Sequence, residues 1–307
     1  MNISRSLKPS GDHLTASPVS FERILVGMDF SEPAEQAFHT ALAFAEQLGS
    51  HLSMAHAISL MLPSLASAGI VPEVSDALIQ SAKEELGKII RSQRTNITSI
   101  DKVVAFGGAE EVLLETVRKK NIDLLVLGTH ASLGITRIAL GSVAESVMRH
   151  VPCPVLITGP KCQQTSNLFS SILFATNLTT TGISAARYAA ALAAQFQSTL
   201  TIFHAMEKKE SVAGGRREEC ENASRLQLEF LLPETADLWC RPHTELAYGD
   251  PAEEILAMES NCDATLIVTG TGHHRALADH SPHSTLSKVL HVAKCPVLAV
   301  PTLSAHG

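Results

Sequence analysis

The sequence predicts an α/β protein built as two tandem domains, each a five-stranded parallel sheet with helices on both faces. Three observations carry this. Apolar runs such as Ile24-Leu25-Val26 and Leu124-Leu125-Val126-Leu127 have the length of buried strands, and they lack the polar alternation of a half-exposed sheet. These runs alternate with longer amphipathic segments, which is the order of strand, crossover helix, parallel strand. The whole series then occurs twice, with a period near 142–148 residues.

The first copy opens with Arg23 to Asp29, a buried strand ending in a carboxylate. Ser31 is placed as an N-cap and Pro33 lies in the first turn of a helix running to Leu48, where Gly49 stops it. His51 to Ala57 reads as the second strand, residues 58–72 as a loop, and Glu73 to Arg94 as a helix with a charged face. Ile100 to Phe106 is the third strand, Gly107-Gly108 the turn, and Ala109 to Lys120 the next helix. Leu124 to Leu127 is the fourth strand, stopped at Gly128. Ser142 with Glu145 three residues on has the form of a capping box, which starts a helix over SVAESVMRH. Cys153 to Ile157 is the fifth strand.

In the second copy Ser171 to Asn177 mirrors Arg23 to Asp29, followed by a helix from Thr181 to Phe196 and a strand from Thr199 to His204. A helix spans Arg217 to Leu232. Tyr248-Gly249-Asp250-Pro251 then repeats Phe106-Gly107-Gly108-Ala109, Thr265 to Gly270 repeats Asp123 to Gly128, and Lys294 to Leu298 repeats Pro152 to Leu156. The expected boundaries are a lead-in over 1–20, domains over 21–160 and 169–303, and a linker over 161–168.

Composition fits this plan and narrows the function. The chain has 307 residues, 45% of them hydrophobic but only 4% aromatic, so Ala, Leu, Val and Ile fill the cores. With 24 basic against 31 acidic residues the net charge is −7, and no basic run invites nucleic acid or an anionic membrane. No apolar segment approaches the roughly 18–20 residues of a membrane span. The Ser- and Pro-rich first twenty residues lack the apolar core of a signal peptide and read as a disordered lead-in. Six cysteines without paired short spacing suggest reduced structural thiols and a cytoplasmic protein.

The stretch from Asp123 to Leu156 organises the chain. Strand, glycine-bearing loop, helix N-terminus and strand follow one another, and such a loop offers backbone N–H groups and a helix dipole to an anion, most naturally a phosphate. Gly128-x-x-Ala131, nine residues, then Gly141-Ser142 resembles the nucleotide loop of the universal stress protein family, whose pattern is Gly-x-x-Gly, nine residues, Gly-Ser or Gly-Thr. The flanks DLLVLGTH and GSVAESVMRHVPCPVLI resemble family text too, and the likeness extends from Phe21 to Pro301 as two tandem family domains.

That resemblance implies two Rossmann-like domains of the adenine nucleotide alpha hydrolase-like type. It implies ATP, carried with Mg2+, as the ligand of the first half. Gly27 and Asp29 would line the ribose side, Ala57 would offer backbone contacts to adenine, and Leu127 and Gly128 would flank base and ribose. Ala131, Gly141, Ser142 and Val143 would hold the phosphates. Family members dimerise by pairing edge strands, often the last. Here Cys153 to Ile157 and Cys295 to Val300 would join the two halves within one chain, with further homodimers and protein partners left open.

Each residue also has a plainer reading. Ser142 serves as an N-cap without any ligand, lone glycines are usually punctuation, and Asp29 with Ser31 would start a helix in any case. Ala131 is the departure from the family pattern. If its backbone is left-handed, alanine costs roughly 1–2 kcal/mol more than glycine, and about 1.4 kcal/mol is tenfold in affinity. The second half departs further. Asn177 replaces the carboxylate, and His273 and His283 stand at the glycine positions after Gly270, so this half is expected to be degenerate and structural. His273, His274, His280 and His283 are close enough to share a metal, but a solvated polar loop is the favoured reading. His130 and His150 are expected to face solvent or cap helices, and Cys153 and Cys295 to be buried apolar residues.

The expected function is therefore an ATP-binding stress-response module, with no catalytic residue and no metal site assigned and at most slow nucleotide turnover. The alternatives are a nucleotide-independent interaction scaffold and, less favoured, a weak ATPase or phosphotransferase using Asp29 to hold a metal ion.

Overall fold

Strand β1 (Arg23–Gly27) lies at the centre of the first half, between β2 (His51–Ile58) and β4 (Leu124–Gly128), with β3 (Ile100–Phe106) and β5 (Val155–Thr158) outside them. The second half repeats this with β6 (Ser171–Ala175) between β7 (Thr199–Met206) and β9 (Leu266–Gly270), flanked by β8 (His243–Tyr248) and β10 (Val297–Val300). A computed structural model describes residues 19–59, 72–129, 141–165, 167–206, 217–232, 242–271 and 284–301. Among these are eight helices: α1 (Glu32–Leu48), α2 (Pro72–Ser92), α3 (Ala109–Lys120), α4 (Ser142–His150), α5 (Thr180–Phe196), α6 (Arg217–Phe230), α7 (Pro251–Asn261) and α8 (Thr285–Val292).

Each half is a parallel five-stranded sheet, and the two halves meet as one sheet of ten strands in the order β3-β2-β1-β4-β5-β10-β9-β6-β7-β8. The junction is the one antiparallel pair among the described strands, with Val297 opposite Ile157, Leu298 opposite Leu156 and Ala299 opposite Val155. All six of these side chains are buried, so the seam is apolar on both faces of the sheet.

The period of two along each strand sorts the core into two layers. Ile24, Val26, Leu124, Val126, Leu156 and Leu298 face α1, α2, α5 and α6, whereas Leu25, Leu125, Leu127, Val155 and Val297 face α3, α4, α7 and α8. Both layers run through both halves. On the first face the halves also join through rings: Phe44 of α1 meets Phe169 at 4.8 Å, and Phe169 stacks on Phe196 of α5 at 4.1 Å.

Turns recur with the repeat. The backbone is left-handed at Phe30 and Leu178, at Gly49 and Gln197, and at Asn121 and Asp263, which are corresponding positions in the two copies. Strand β1 is shorter than the sequence suggests. It stops at Gly27 instead of reaching Asp29, because Met28 makes one last bond to the Ala55 carbonyl and Phe30 then turns to φ 63°. β5 starts at Val155, two residues after Cys153.

Candidate functional site

The order of the first-half strands reverses between β1 and β4: the chain fills the sheet towards β3 and then returns to add β4 and β5 on the other side. In open parallel sheets a crevice opens beyond the carboxyl ends of the strands at such a switch point. Here that crevice has a volume of about 410 Å³. Its base is made by Gly27, Met28 and Asp29 after β1, Ala55 and Ala57 on β2, and Leu127, Gly128 and Thr129 on and after β4. Ala109, Val112 and Leu113 of α3 form one wall, and Gly141, Ser142, Val143 and Ala144 form the rim.

The rim is the start of α4, and its geometry is set by Gly141. This residue has φ 86° and ψ 129°, a conformation for glycine alone, and its carbonyl accepts the first intrahelical bond from Glu145 at 3.0 Å. Gly141, not Ser142, is therefore the N-cap. The capping box expected of Ser142 and Glu145 does not form, because Ser142 already sits in the first turn, and the Glu145 carboxylate pairs with Arg149 one turn on. Among the described residues no side chain caps the helix. Among the described residues the N–H groups of Ser142, Val143 and Ala144 have no acceptor, and they open onto the crevice.

Helix α3 starts in the same manner, from Gly108, again with no side-chain cap. Two helix N-termini thus direct their partial positive charge at one apolar-floored cleft. The described lining contains no Lys, Arg or His, so among these residues donors to an anion are backbone N–H groups and the Ser142 hydroxyl.

Across the crevice, Asp29 is exposed, and its Oδ1 accepts the N–H of Ser31 at 3.0 Å and the Ser31 hydroxyl at 2.5 Å. Ser31 in turn caps α1 by accepting from Ala34 N. The glycines of the base have packing reasons. A Cβ on Gly128 would lie 2.2 Å from the Pro33 carbonyl oxygen, and one on Gly27 would lie 2.8 Å from Leu127 Cδ2.

With the fold and the cleft established, comparison with known proteins decides the family. The sequence profile of the universal stress protein family matches residues 20–159 and again residues 169–301. The chain belongs to the universal stress protein family, in two copies. A universal stress protein of Methanocaldococcus jannaschii is 27% identical over 156 residues, covering 50% of this chain and 88% of that one. Among solved structures, a universal stress protein of Archaeoglobus fulgidus superposes with a TM-score of 0.67 at 19% identity, covering 92% of this chain and 100% of its own. A functionally unknown protein of Pseudomonas aeruginosa gives 0.59 at 17% identity, over 92% and 94%. Likeness at that level of identity speaks to the fold.

In this tandem universal stress protein, Gly27, Asp29, Ala57, Leu127, Gly128, Gly141, Ser142 and Val143 all border the one crevice. Ala131 lies outside the described residues, as do His130 and the histidines at 273, 274, 280 and 283. Sequence reading overlooked the α3 wall. Its signal was Gly107-Gly108 immediately before a helix, a start without a capping side chain beyond a strand end. Thr129 was also overlooked. It is buried, and its N–H donates to the Thr158 carbonyl at 3.0 Å, which ties the end of β4 to β5.

The second universal stress domain keeps the turn and fills the starts of α7 and α8. Asn177 Oδ1 accepts from Thr179 N and Oγ1 at 3.2 and 2.7 Å, reproducing the Asp29–Ser31 turn without the charge. Ser284 caps α8, accepting from Ser287 N at 3.2 Å. Asp250 caps α7, accepting from Ala252 N and Glu253 N, and its other oxygen pairs with Lys288 at 3.0 Å. Corresponding to Gly108 and the open rim of α4, this half has a carboxylate and a hydroxyl of its own. Over Gly249, the Glu254 carboxylate packs so closely that a Cβ there would lie 2.2 Å from Oε1.

The remaining polar groups do structural work. Burial pushes the Cys153 thiol up to about 12 and that of Cys295 well above its ordinary value, so neither is a ready nucleophile. His150 is exposed and bonds Glu110 and the Ser146 carbonyl, joining α3 to α4. Among the described residues no three His, Cys, Asp or Glu side chains are grouped to hold a metal, and no helix is long and apolar enough to cross a membrane.

Proposed function

We propose that the first domain binds an adenine nucleotide, ATP in the first instance, and that the second domain is a structural partner without a nucleotide site. The observation that carries the reading is the contrast between the two helix starts. α4 enters through Gly141 with its first N–H groups open to the cleft, while α8 and α7 are closed by Ser284 and Asp250. An open helix N-terminus with glycine-allowed entry is an anion site, and phosphate is its usual occupant.

In this reading the N–H groups of Ser142, Val143 and Ala144 receive the phosphates. The Asp29 carboxylate accepts from ribose hydroxyls, and the apolar base with the Ala57 backbone takes adenine. Gly27, Leu127 and Gly128 allow the sugar and base to approach the strand ends. Ala131 belongs to the same phosphate loop by resemblance. Mg2+ accompanies the phosphates as their counter-ion, with Asp29 the carboxylate on the cleft. No side chain is assigned to catalysis: the reading is of a binding module of the stress response, acting in the cytoplasm.

The test is calorimetric titration of Mg-ATP into the full chain and into Ser142→Asp. An acid in the first helical turn favours the helix dipole, so this variant should fold at least as well as the parent, yet it places negative charge where the phosphates would lie. One site per chain, lost in Ser142→Asp with an unchanged melting temperature, is the expected result. No binding at millimolar ATP would overturn the reading and leave the interaction scaffold as the working model.

A further inference from the structure

The turn that carries Asp29 is held from the far side of the sheet by one histidine. His56 Nδ1 lies 2.8 Å from the Met28 carbonyl oxygen. A carbonyl only accepts, so Nδ1 carries the proton. Met28 also donates its own N–H to Ala55 O at 2.8 Å, and both of its backbone groups are thereby fixed to consecutive residues of β2. Two residues on, the Phe30 ring packs on the His56 ring at 4.4 Å, and Phe30 holds the left-handed φ of 63°. The imidazole therefore brackets Asp29, gripping the backbone before it and the ring after it.

His56 shares its sheet face with Met54, on the side of α1 and α2, whereas Ala55 and Ala57 face the crevice. It does not reach the cleft and acts only through the turn. Without the bond, the carbonyl of buried Met28 would have no partner among the described residues, and the turn would be free to relax. The same device exists in the second domain, where His204 Nδ1 lies 2.8 Å from the Thr176 carbonyl and Leu178 takes φ 59°. There it holds Asn177 and serves only the fold.

We infer that His56 is a positioning residue for the ligand cleft, setting through the Met28 carbonyl where the Asp29 carboxylate stands. This rests on the nucleotide reading above, and the duplication supplies its own control. His56→Leu and His204→Leu remove equivalent bonds, so both should lower the melting temperature by similar amounts. Only His56→Leu should weaken binding of Mg-ATP, by about tenfold or about 1.4 kcal/mol. His56→Asn keeps an N–H donor near the Nδ1 position and should restore most of the affinity. Equal ATP affinities in the two leucine variants would overturn the inference, as would a folded His56→Asn that binds no better than His56→Leu. Should His56→Leu fail to fold, His56→Gln against His204→Gln decides in the same way, since the glutamine amide falls at the Nε2 position and leaves the carbonyl unpaired; equal ATP affinities in that pair would overturn the inference. A parent chain that takes up no ATP would sink the nucleotide reading itself and this inference with it. A parent that binds beside an unaffected His56→Leu would sink this inference alone.

Discussion

Lys288 Nζ donates to Asp250 Oδ2 across 3.0 Å, and through Oδ1 the same carboxylate accepts the first N–H groups of α7. One side chain thus caps a helix and ties it to the start of α8. In the first domain the corresponding residues are Gly108 and Ser146, and α3 is joined to α4 by Glu110 instead, which bonds Ser146 and His150. The two domains solve the same packing problem, but among the described residues the first leaves the starts of α3 and α4 without a side-chain cap where the second fills those of α7 and α8. Replacing Asp250 by Ala should lower stability by about 0.5–2 kcal/mol, the usual cost of a lost N-cap, while the ATP affinity of the first domain stays unchanged. Urea denaturation alongside calorimetry checks both statements.

The same carboxylate gives the stability a pH signature. The hydrogen bond from Lys288, and then the α7 N–H groups, hold Asp250 below the ordinary aspartate value of 3.8. A depressed carboxylate contributes stability that is present above its unfolded value and lost as pH falls through the folded one. The side chain is partly exposed, so salt screens the effect. Asp250→Asn should therefore melt below the parent at neutral pH, and the gap should close as pH drops below about 3.8. A gap that persists undiminished in acid would show that shape, not charge, is what Asp250 contributes.

Gly128 tests how far the glycine pattern is structural. A Cβ there would lie 2.2 Å from the Pro33 carbonyl and 3.0 Å from Ala34 N, both backbone atoms that cannot swing aside. Gly128→Ala should push β4 away from the start of α1, at a cost of about 1–3 kcal/mol for overpacking. Gly141→Ala meets no atom of the described residues within 4 Å but must hold φ 86°, a strain of about 1–3 kcal/mol. Thermal melts of both variants separate the two causes. Adding a second, compensating Pro33→Ala should not rescue Gly128→Ala, because the clash is with the main chain.

What was legible in the sequence was punctuation. β3 and α3 lie where the sequence places them, with Gly107-Gly108 marking the turn between them, and Gly49 ends α1 as expected, in a left-handed cap. The capping box failed for a physical reason. Ser-x-x-Glu reports a favourable side-chain geometry, but the positive φ of Gly141 moves the helix start by one residue, and the backbone decides. The β5–β10 pairing followed from family resemblance alone, since no local pattern names a strand's partner. The His56 tether and the Asp250–Lys288 pair were invisible, because each joins elements that only the tertiary fold brings together.

That β5–β10 seam should make the two domains one cooperative unit. Leu156 and Leu298 face each other across it and are fully buried, and each core layer continues from one half into the other. Leu298→Ala removes packing atoms from both sides of the junction, and truncation of a buried leucine costs about 2–5 kcal/mol. Because the lost contacts belong to both domains, unfolding should stay a single transition at lower temperature, with ATP still raising the midpoint by mass action. Two separate transitions, only one of them responsive to ATP, would mean that each domain stands on its own core and that the second is a passenger. A single, ATP-responsive transition would mean that the second domain supports the first through the seam, which gives a physical reason for a domain whose α7 and α8 starts are filled.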